Sequence, residues 1–263
     1  MSANAYLDRI RGILAEIETR EMPRIRAAAK IMAASIRKKG RVYMFGSGHS
    51  VIPVLDIFPR YGSFVGFFPL YDPRLMWSNV IGPGGARELL WLERQEGYAR
   101  VFLQSYPLEK RDAMLVFSHG GLNAAPLEVA LEAKARGLKV ITVSSHANAK
   151  VGRRSHSSGL VLSEAADVAI DNHVPPEDAL VDVGQVERVA AGSTVAAVAI
   201  AMALVAETAA VLARRGKLPP TFVSPNVKGV RPGHMAGVYQ AFTEFYYARP
   251  FKAAKRPGRS GRA

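Results

Sequence analysis

The stretch Val42-Tyr-Met-Phe-Gly-Ser-Gly-His-Ser50 decides the fold, because an apolar strand-forming run leads directly into a glycine turn and a helix-compatible segment. The first amides of a helix have no backbone partner and point outward, so a strand, a turn and a helix start together form a site for an anion. Glycines let the backbone approach a ligand closely, and serine hydroxyls add donors. The stretch therefore predicts a phosphorylated ligand, bound by Gly46, Ser47, Gly48, His49 and Ser50.

Short apolar segments recur along the chain, with helical segments between them. Each is bounded by glycine or polar residues, as buried parallel strands are. The predicted strands are Val42–Phe45, Phe64–Phe67, Met114–Phe117, Val140–Val143 and Val168–Ile170. The clearest predicted helices are Ala5–Lys39, interrupted at Pro23, then Pro126–Arg136 and Gly192–Arg215. The alternation predicts an α/β fold around a central, mainly parallel sheet of five strands.

Composition narrows the class of protein. The chain contains no cysteine, which excludes disulfides, thiolate metal sites and cysteine nucleophiles, and suits a cytoplasmic protein. The N-terminus lacks the order of a secretory signal, and the apolar run Val195–Ala206 is too short to span a bilayer, so no membrane association is expected. His146, His156 and His173 are too dispersed for a metal-ligand pattern. We expect neither a metal nor another cofactor.

Basic residues give the chain a formal charge of +13, and many of them lie near the C-terminus. We divide the chain into an N-terminal helical segment (1–40), the sheet domain (41–222) and a C-terminal extension (223–263) whose basic tail is predicted to be disordered. Stacking aromatics are missing after Phe251 and no recognition helix precedes it, so a solvated tail is favoured over nucleic-acid binding. The basic residues of the tail are Arg249, Lys252, Lys255, Arg256, Arg259 and Arg262.

Small polar residues also follow two later strands. They form the runs Ser118-His-Gly-Gly-Leu-Asn123 and Ser144-Ser-His146. In open parallel sheets, ligands bind beyond the carboxyl ends of the strands. Two glycine-serine turns in one sheet, each followed by a helix, favour a phosphosugar. A dinucleotide is less favoured, because the glycine fingerprint is incomplete and Phe67-Phe-Pro69 offers no acid at the end of the second strand.

These motifs resemble the sugar isomerase (SIS) domain family over about Val42 to Phe222. The resemblance rests on the two loops and on the run from Leu127 to Val143. Among family members, the chain resembles uncharacterised bacterial proteins most, through the runs Leu92-Glu-Arg-Gln-Glu-Gly-Tyr-Ala99 and Phe222-Val-Ser-Pro-Asn-Val227. It implies a three-layer, flavodoxin-like fold, a phosphorylated sugar as ligand, and a homodimer or higher homo-oligomer. Family members include isomerases, lyases and sensing domains of regulators.

The resemblance also implies which residues hold the phosphate. The first loop matches the family well, so Ser50 and the amides around Gly48 are expected to bind phosphate oxygens. In the second loop Ser118 and Gly121 match, whereas Gly120 and Asn123 stand where the family usually has hydroxyls. Backbone amides and the Asn123 side chain remain available as donors.

Catalytic roles follow from the resemblance less directly. Glu96-Gly97 resembles the Glu-Gly pair of the muramic-acid phosphate etherases, and Asp56 is the candidate acid on the first helix after the glycine turn. An enediol or elimination route needs a carboxylate beside the carbon and a second group for the oxygen, here His119 or His49. Plain alternatives stay open: Glu96 as an exposed helix-end carboxylate and Asp56 as a salt-bridged surface residue.

Two broader alternatives remain open from the sequence. The acid that the etherases carry after the first loop has no match here, because Pro59 and Arg60 occupy that neighbourhood. Loss of this acid and of two phosphate hydroxyls favours a non-catalytic sensor of sugar phosphate over an enzyme. The long connection from Pro69 to Arg87, which contains Trp77, is predicted to be a lid or a partner-binding segment. Ser193-Thr194 is interpreted first as a helix cap and second as a ligand group.

Overall fold

A parallel sheet of five strands forms the centre of the molecule, in the order β2-β1-β3-β4-β5. The computed structural model describes residues 2–77, 85–226 and 228–249. Every neighbouring pair of strands is parallel, and all of β1 and β3 is buried, as the prediction of a doubly covered sheet requires. The strands are β1 (Val42–Gly46), β2 (Phe67–Pro69), β3 (Ala113–Phe117), β4 (Lys139–Ser144) and β5 (Val168–Asp171).

Helices cover both faces of the sheet, which makes the three-layer arrangement expected from the sequence. Successive side chains of a strand point to opposite faces, so Val42 and Met44 join the core on one side while Tyr43 and Phe45 join the core on the other. The helices are α1 (Ser2–Arg37), α2 (Val51–Ile57), α3 (Gly85–Leu92), α4 (Tyr98–Phe102), α5 (Ala124–Ala135), α6 (His146–Val151), α7 (Ser193–Ala213) and α8 (His234–Tyr247).

Helix α1 runs unbroken through Pro23, so the predicted interruption there is wrong. A proline inside a helix removes one backbone hydrogen bond and crowds the preceding turn. Apolar side chains on both sides of Pro23 are buried in the same core, among them Ile17 and Ile25. Packing of this continuous apolar stripe offsets the local cost of the proline.

The second strand and its surroundings differ from the prediction. Phe67 is the one residue shared by the predicted strand Phe64–Phe67 and β2, while Phe64 forms an isolated antiparallel bridge to Thr221. Gly66, with a φ of +146°, turns the chain between the bridge at Phe64 and the strand that starts at Phe67. An apolar run alone does not determine which of its residues pair with the neighbouring strand. The antiparallel hairpin β6 (Ala179–Val181) and β7 (Val189–Ala191) was not predicted.

Helix α7 begins at the carboxyl edge of the sheet and packs against α1 and α2, which agrees with the predicted buried helix. Its inner face is formed by residues such as Ala196, Ile200 and Leu204, all fully buried. By length and composition α7 is also, within the described residues, the one helix that could cross a membrane. Helices of this kind occur as core helices in globular proteins as well.

The C-terminal extension contributes an ordered helix to the sheet domain. Phe242 of α8 packs edge-to-face on Phe58, with ring centroids 5.2 Å apart. Beyond the helix, the Arg249 guanidinium binds both oxygens of the buried Asp112 carboxylate, at 2.7 and 2.9 Å. The basic tail that follows lies outside the described residues, and the division at residue 223 stays a prediction.

Candidate functional site

The first predicted loop, Gly46–Ser50, leaves the end of β1 and is called loop 1 here. Close backbone packing requires Gly46, because a Cβ at this position would lie 2.1 Å from the carbonyl oxygen of Ser50. Gly48 has a φ of +60°, a conformation that favours glycine. The His49 ring packs against Trp77 at a centroid distance of 4.8 Å. Within the predicted lid, Pro69 to Arg87, residues 78–84 lie outside the described residues.

The second predicted loop, Ser118–Asn123, leaves the end of β3 and is called loop 2 here. Gly46 and Phe117 are register partners, so the two loops leave neighbouring strands at the same level. The Ser118 hydroxyl accepts a hydrogen bond from the amide of Gly121, whose φ is +65°. The carbonyl of Gly120 accepts from the Asn148 side chain at 2.9 Å. Loop 2 is therefore a compact turn held by its own Ser118 and by Asn148 of α6.

The two loops meet the start of α7 in a narrow cleft whose cavity volume is about 10 Å³. Four predicted residues line it: His49, Ser50, Ser118 and His119. Asn172, Ser193 and Thr194 line it as well, so the second interpretation of Ser193-Thr194 agrees with their position.

His119 is half-buried in this cleft, and its Nε2 atom is fully buried. Its Nδ1 lies 3.3 Å from the Asn172 side-chain amide. Its Nε2 has no hydrogen-bond partner within the described part of the chain. A buried polar atom without a partner costs free energy, which a ligand oxygen in the cleft would relieve.

The start of α7 is fixed by an aspartate from the hairpin region. One carboxylate oxygen of Asp178 accepts from the Ser193 amide at 2.7 Å, and the other accepts from the Ser193 hydroxyl at 2.8 Å. The carboxylate thus caps the helix and satisfies the Ser193 hydroxyl. Ser193 is therefore capped by Asp178 and is not itself the cap, so the predicted cap role is wrong, and its side chain lines the cleft.

Glu93 joins the two loops and was not among the predicted site residues. Its carboxylate accepts from the Ser47 hydroxyl and from the Asn123 side-chain amide, both at 2.7 Å. Glu93 is only 6% exposed, and burial raises the pKa of its carboxyl, while the bond from Ser47 acts in the opposite direction. A carboxyl of this kind takes up a proton more readily than an exposed one. We call Glu93, Ser47 and Asn123 the loop junction.

The sequence contained a signal for Glu93. Leu89 is fully buried, and Glu93 follows it by one helical turn on the same face. An acid on the inner face of an amphipathic segment needs polar partners in the interior. Asn172, by contrast, follows a strand end and carried no comparable local signal.

The structure places the two predicted catalytic carboxylates away from the cleft. Glu96 accepts from the amide of Ser157 at 2.7 Å and from its hydroxyl, and it lines a separate surface concavity with Glu128 and His156. The bonds from Ser157 lower the pKa of the Glu96 carboxyl. Asp56 forms an ion pair with Arg60 and lines another concavity. Of the three predicted catalytic residues, His119 is the one that lines the cleft.

Histidines and carboxylates do not converge into a metal-binding group within residues 2–77, 85–226 and 228–249. The groups that the cleft offers are hydroxyls, imidazoles and amides, which suit the oxygens of an anion. The site chemistry therefore matches the anion expected from the sequence.

Comparison with known proteins identifies the family. The family profile described as the SIS domain matches residues 5–145. The chain is 33% identical over 250 residues to a UPF0309 protein of Streptomyces coelicolor, covering 94% of this chain and 98% of that protein. It is 34% identical over 225 residues to a UPF0309 protein of Oceanobacillus iheyensis, covering 85% and 90%.

A solved structure shares the fold at low sequence identity. The phosphoheptose isomerase from Francisella tularensis superposes with a TM-score of 0.52 at 16% identity, covering 78% of this chain and 95% of that one. The likeness supports the order of strands and helices described above. From the matched profile and the relatives, the chain belongs to the SIS-domain family.

Proposed function

We propose that the cleft between loop 1 and loop 2 binds the phosphate group of a phosphorylated sugar or amino sugar. The observation that carries this proposal is the convergence of Ser50, Ser118 and His119 with the start of α7 on one cleft. Phosphate oxygens accept several hydrogen bonds and favour helix N-termini. Membership of the SIS family and the fold shared with a phosphoheptose isomerase support the same ligand class.

We further propose that the bound sugar undergoes isomerisation or elimination with Glu93 as the proton-transferring group. In isomerisation a base removes the proton from the carbon beside the carbonyl while the carbonyl oxygen gains a proton, which gives an enediol. The protonated base then returns its proton to the former carbonyl carbon, and the hydroxyl on the neighbouring carbon loses its proton to become the new carbonyl. In elimination the same proton loss expels a leaving group from the next carbon. Burial raises the pKa of the Glu93 carboxyl, and a raised pKa makes a carboxyl a stronger base for removing a proton. His119 is the candidate for handling the sugar oxygen.

A non-catalytic phosphosugar sensor is the second candidate function. Both Glu93 oxygens already accept hydrogen bonds, from Ser47 and from Asn123. In this alternative Glu93 only couples the two loops, and ligand binding changes the surface that a partner contacts. As expected from the family, we propose that the protein acts in the cytoplasm as a homodimer or higher homo-oligomer. Light scattering of the purified chain measures its assembly.

Binding is tested first, by thermal shift with a panel of sugar phosphates and the matching unphosphorylated sugars. A ligand at one hundred times its Kd stabilises a protein by about 2.7 kcal/mol, which raises its Tm measurably. We expect a shift only with phosphorylated compounds, and its loss in Ser50→Ala. No shift with any phosphorylated compound, or an unchanged shift in Ser50→Ala, would contradict the proposal.

Catalysis is then tested by substituting the three candidate carboxylates one at a time. We expect Glu93→Gln to reduce turnover of the bound sugar phosphate by about 100-fold or more, because the amide cannot transfer the proton. Glu96→Gln and Asp56→Asn serve as matched controls for loss of a carboxylate elsewhere, and both should retain turnover. If Glu96→Gln abolishes turnover instead, the resemblance-based assignment holds. Binding without turnover in the unmodified protein favours the sensor.

A further inference from the structure

Asn172 lines the cleft one residue beyond the end of β5, and it is only 2% exposed. Its backbone amide donates to the carbonyl of Ser144, at the end of β4, at 3.0 Å. The carbonyl of His119 accepts from the neighbouring amide of Ser145 at 2.8 Å. The backbones of Asn172 and His119 are therefore held by the same strand end, and their side chains meet within hydrogen-bond distance.

The orientation of the Asn172 side-chain amide follows from a backbone donor. The N–H of Val174 donates to Oδ1 of Asn172 at 3.0 Å. A backbone N–H only donates, so the side-chain atom that faces it has to be the oxygen and not the NH2 group. Val174 is held in turn, because its carbonyl accepts from the Ser145 hydroxyl at 2.6 Å. The NH2 group of Asn172 is therefore the part of the amide that faces His119.

This orientation determines which nitrogen of His119 carries a proton. Nδ2 of Asn172 lies 3.3 Å from Nδ1 of His119, and an amide NH2 group only donates. Nδ1 therefore accepts, so in the neutral ring the proton is on Nε2. Nε2 is buried and, within the part of the chain that the structure describes, has no hydrogen-bond partner. His119 thus holds a buried N–H donor that lacks an acceptor.

The cleft that His119 lines suits a single acceptor atom. Its cavity volume of about 10 Å³ is close to the smallest space that holds one water molecule, and so to that of one ligand oxygen. A charged phosphate oxygen is a stronger acceptor for an N–H donor than a neutral hydroxyl is. The hydroxyl-bearing residues Ser50, Ser118 and Thr194 line the same cleft and can donate to further oxygens of the group.

We propose that Asn172 is a positioning residue, which holds the neutral His119 ring with its proton on Nε2 so that the ring donates to a ligand oxygen in the cleft. The identity of the ligand rests on the proposed function, whereas the location of the proton does not. Nε2 has no free lone pair in this tautomer, and Nδ1 is occupied by Asn172. His119 therefore acts as a donor to a phosphate or sugar oxygen, and removal of a carbon-bound proton is left to a carboxylate.

The first test is NMR of the ligand-free, full-length protein labelled with 15N, at pH 8.5, where histidine is ordinarily neutral. Long-range correlations between ring hydrogens and ring nitrogens show which nitrogens carry a proton. We expect His119, assigned by the loss of its signals in His119→Gln, to have an unprotonated Nδ1 and a protonated Nε2.

His156 is the internal reference in the same spectrum. Its Nδ1 accepts from the backbone amide of Ser158 at 3.1 Å, so it has to be unprotonated as well. A proton on Nδ1 of His119, beside the expected pattern for His156, would overturn the proposal whether or not any ligand binds.

Asn172→Asp is the variant that reverses the tautomer. It keeps an acceptor for the Val174 amide, but it replaces the donor that faces His119 with a carboxylate oxygen, which only accepts. Nδ1 of His119 should therefore gain a proton and Nε2 of the neutral ring should lose one, while the His156 signals stay unchanged. Loss of the Nε2 donor should weaken sugar phosphate binding by about 10- to 100-fold. An unchanged tautomer in a folded Asn172→Asp protein would contradict the positioning role.

A double variant separates positioning from a purely structural role. Asn172→Asp should weaken binding in the native background but have little further effect in a His119→Ala background. Equal weakening in both backgrounds would show that Asn172 acts through its surroundings and not through the ring, and it would overturn the proposal. Thermal unfolding shows whether each variant folds, and the spectrum of the unmodified protein decides the tautomer even where a variant does not. Absence of sugar phosphate binding by the unmodified protein would contradict the proposed function, and the NMR result would still decide the role of Asn172.

Discussion

Glu93 and Glu96 lie three residues apart in the sequence, but their surroundings have opposite chemical consequences. Glu93 is buried in the loop junction, where it links Ser47 to Asn123, and burial raises the pKa of its carboxyl. Glu96 is exposed, and hydrogen bonds from Ser157 lower the pKa of its carboxyl. A carboxyl that transfers protons near neutral pH needs the first kind of environment.

The Glu-Gly motif marks a segment of the chain, but the fold determines which carboxylate in that segment is buried. The two carboxylates differ in exposure to solvent, because other residues cover Glu93 and leave Glu96 exposed. Loop 1 and loop 2 come from distant parts of the chain and meet only because β1 and β3 are neighbours. The burial of Glu93 therefore depends on the order of the strands in the sheet.

The largest effect on stability is expected from displacing loop 1, which carries Ser47 of the loop junction. A methyl group on Gly46 would lie 2.1 Å from the Ser50 carbonyl oxygen, so Gly46→Ala has to displace loop 1. We expect a loss of about 3 kcal/mol or more in the free energy of unfolding, together with loss of phosphosugar binding. Urea denaturation and thermal shift measure the two effects.

Gly12→Ala in α1 is the control for this prediction. A methyl group there meets no atom within 4 Å. Alanine is the better helix former, so this change should stabilise the protein by up to about 1 kcal/mol. If Gly46→Ala costs less than about 1 kcal/mol, loop 1 is not held as tightly as its packing indicates.

A smaller effect is expected from removing the two carboxylates themselves. Glu93→Ala leaves the Ser47 hydroxyl and the Asn123 amide without their acceptor in a buried region. We expect a loss of about 2–3 kcal/mol in the free energy of unfolding, measured by urea denaturation. Glu96→Ala, at an exposed position, should cost clearly less than Glu93→Ala. Equal losses in the two variants would remove the distinction between the two regions.

The fold and the loops could be predicted from the sequence because their signals are local. Strands β1, β3, β4 and β5 are apolar runs with clear boundaries, and loop 1 and loop 2 are glycine-serine turns at strand ends. The SIS family membership rested on the same motifs and is confirmed. Local signals were insufficient at Pro23, where packing on both sides of the proline maintains the helix.

The remaining features of the site depend on contacts between distant residues. Asn172 and Ser193 reach the cleft only because β5 ends and α7 begins beside loop 2. Asp178 fixes the start of α7 from an unpredicted hairpin region. Whether Glu93 or Glu96 is buried depends likewise on where loop 1 and loop 2 meet. Neither fact follows from residue type or spacing.

The smallest expected effect concerns pH, and it has opposite signs in the two regions. The pKa of Glu93 is raised by folding, so its contribution to stability is present below the unfolded pKa of about 4.3 and is lost as pH rises through the folded pKa. The pKa of Glu96 is lowered, so its contribution is present above that value and is lost as pH falls through the folded pKa.

Glu93→Gln and Glu96→Gln, unfolded in urea between pH 3 and pH 8, should therefore diverge from the unmodified protein in opposite directions. Glu93→Gln should gain stability relative to the unmodified protein as pH rises, since glutamine needs no ionisation in the junction and still bonds Ser47 and Asn123. Each unit of pKa difference changes the free energy of unfolding by about 1.4 kcal/mol. Glu96→Gln should instead lose relative stability as pH rises. Parallel pH profiles in the two variants would mean that Glu93 and Glu96 share one solvated environment.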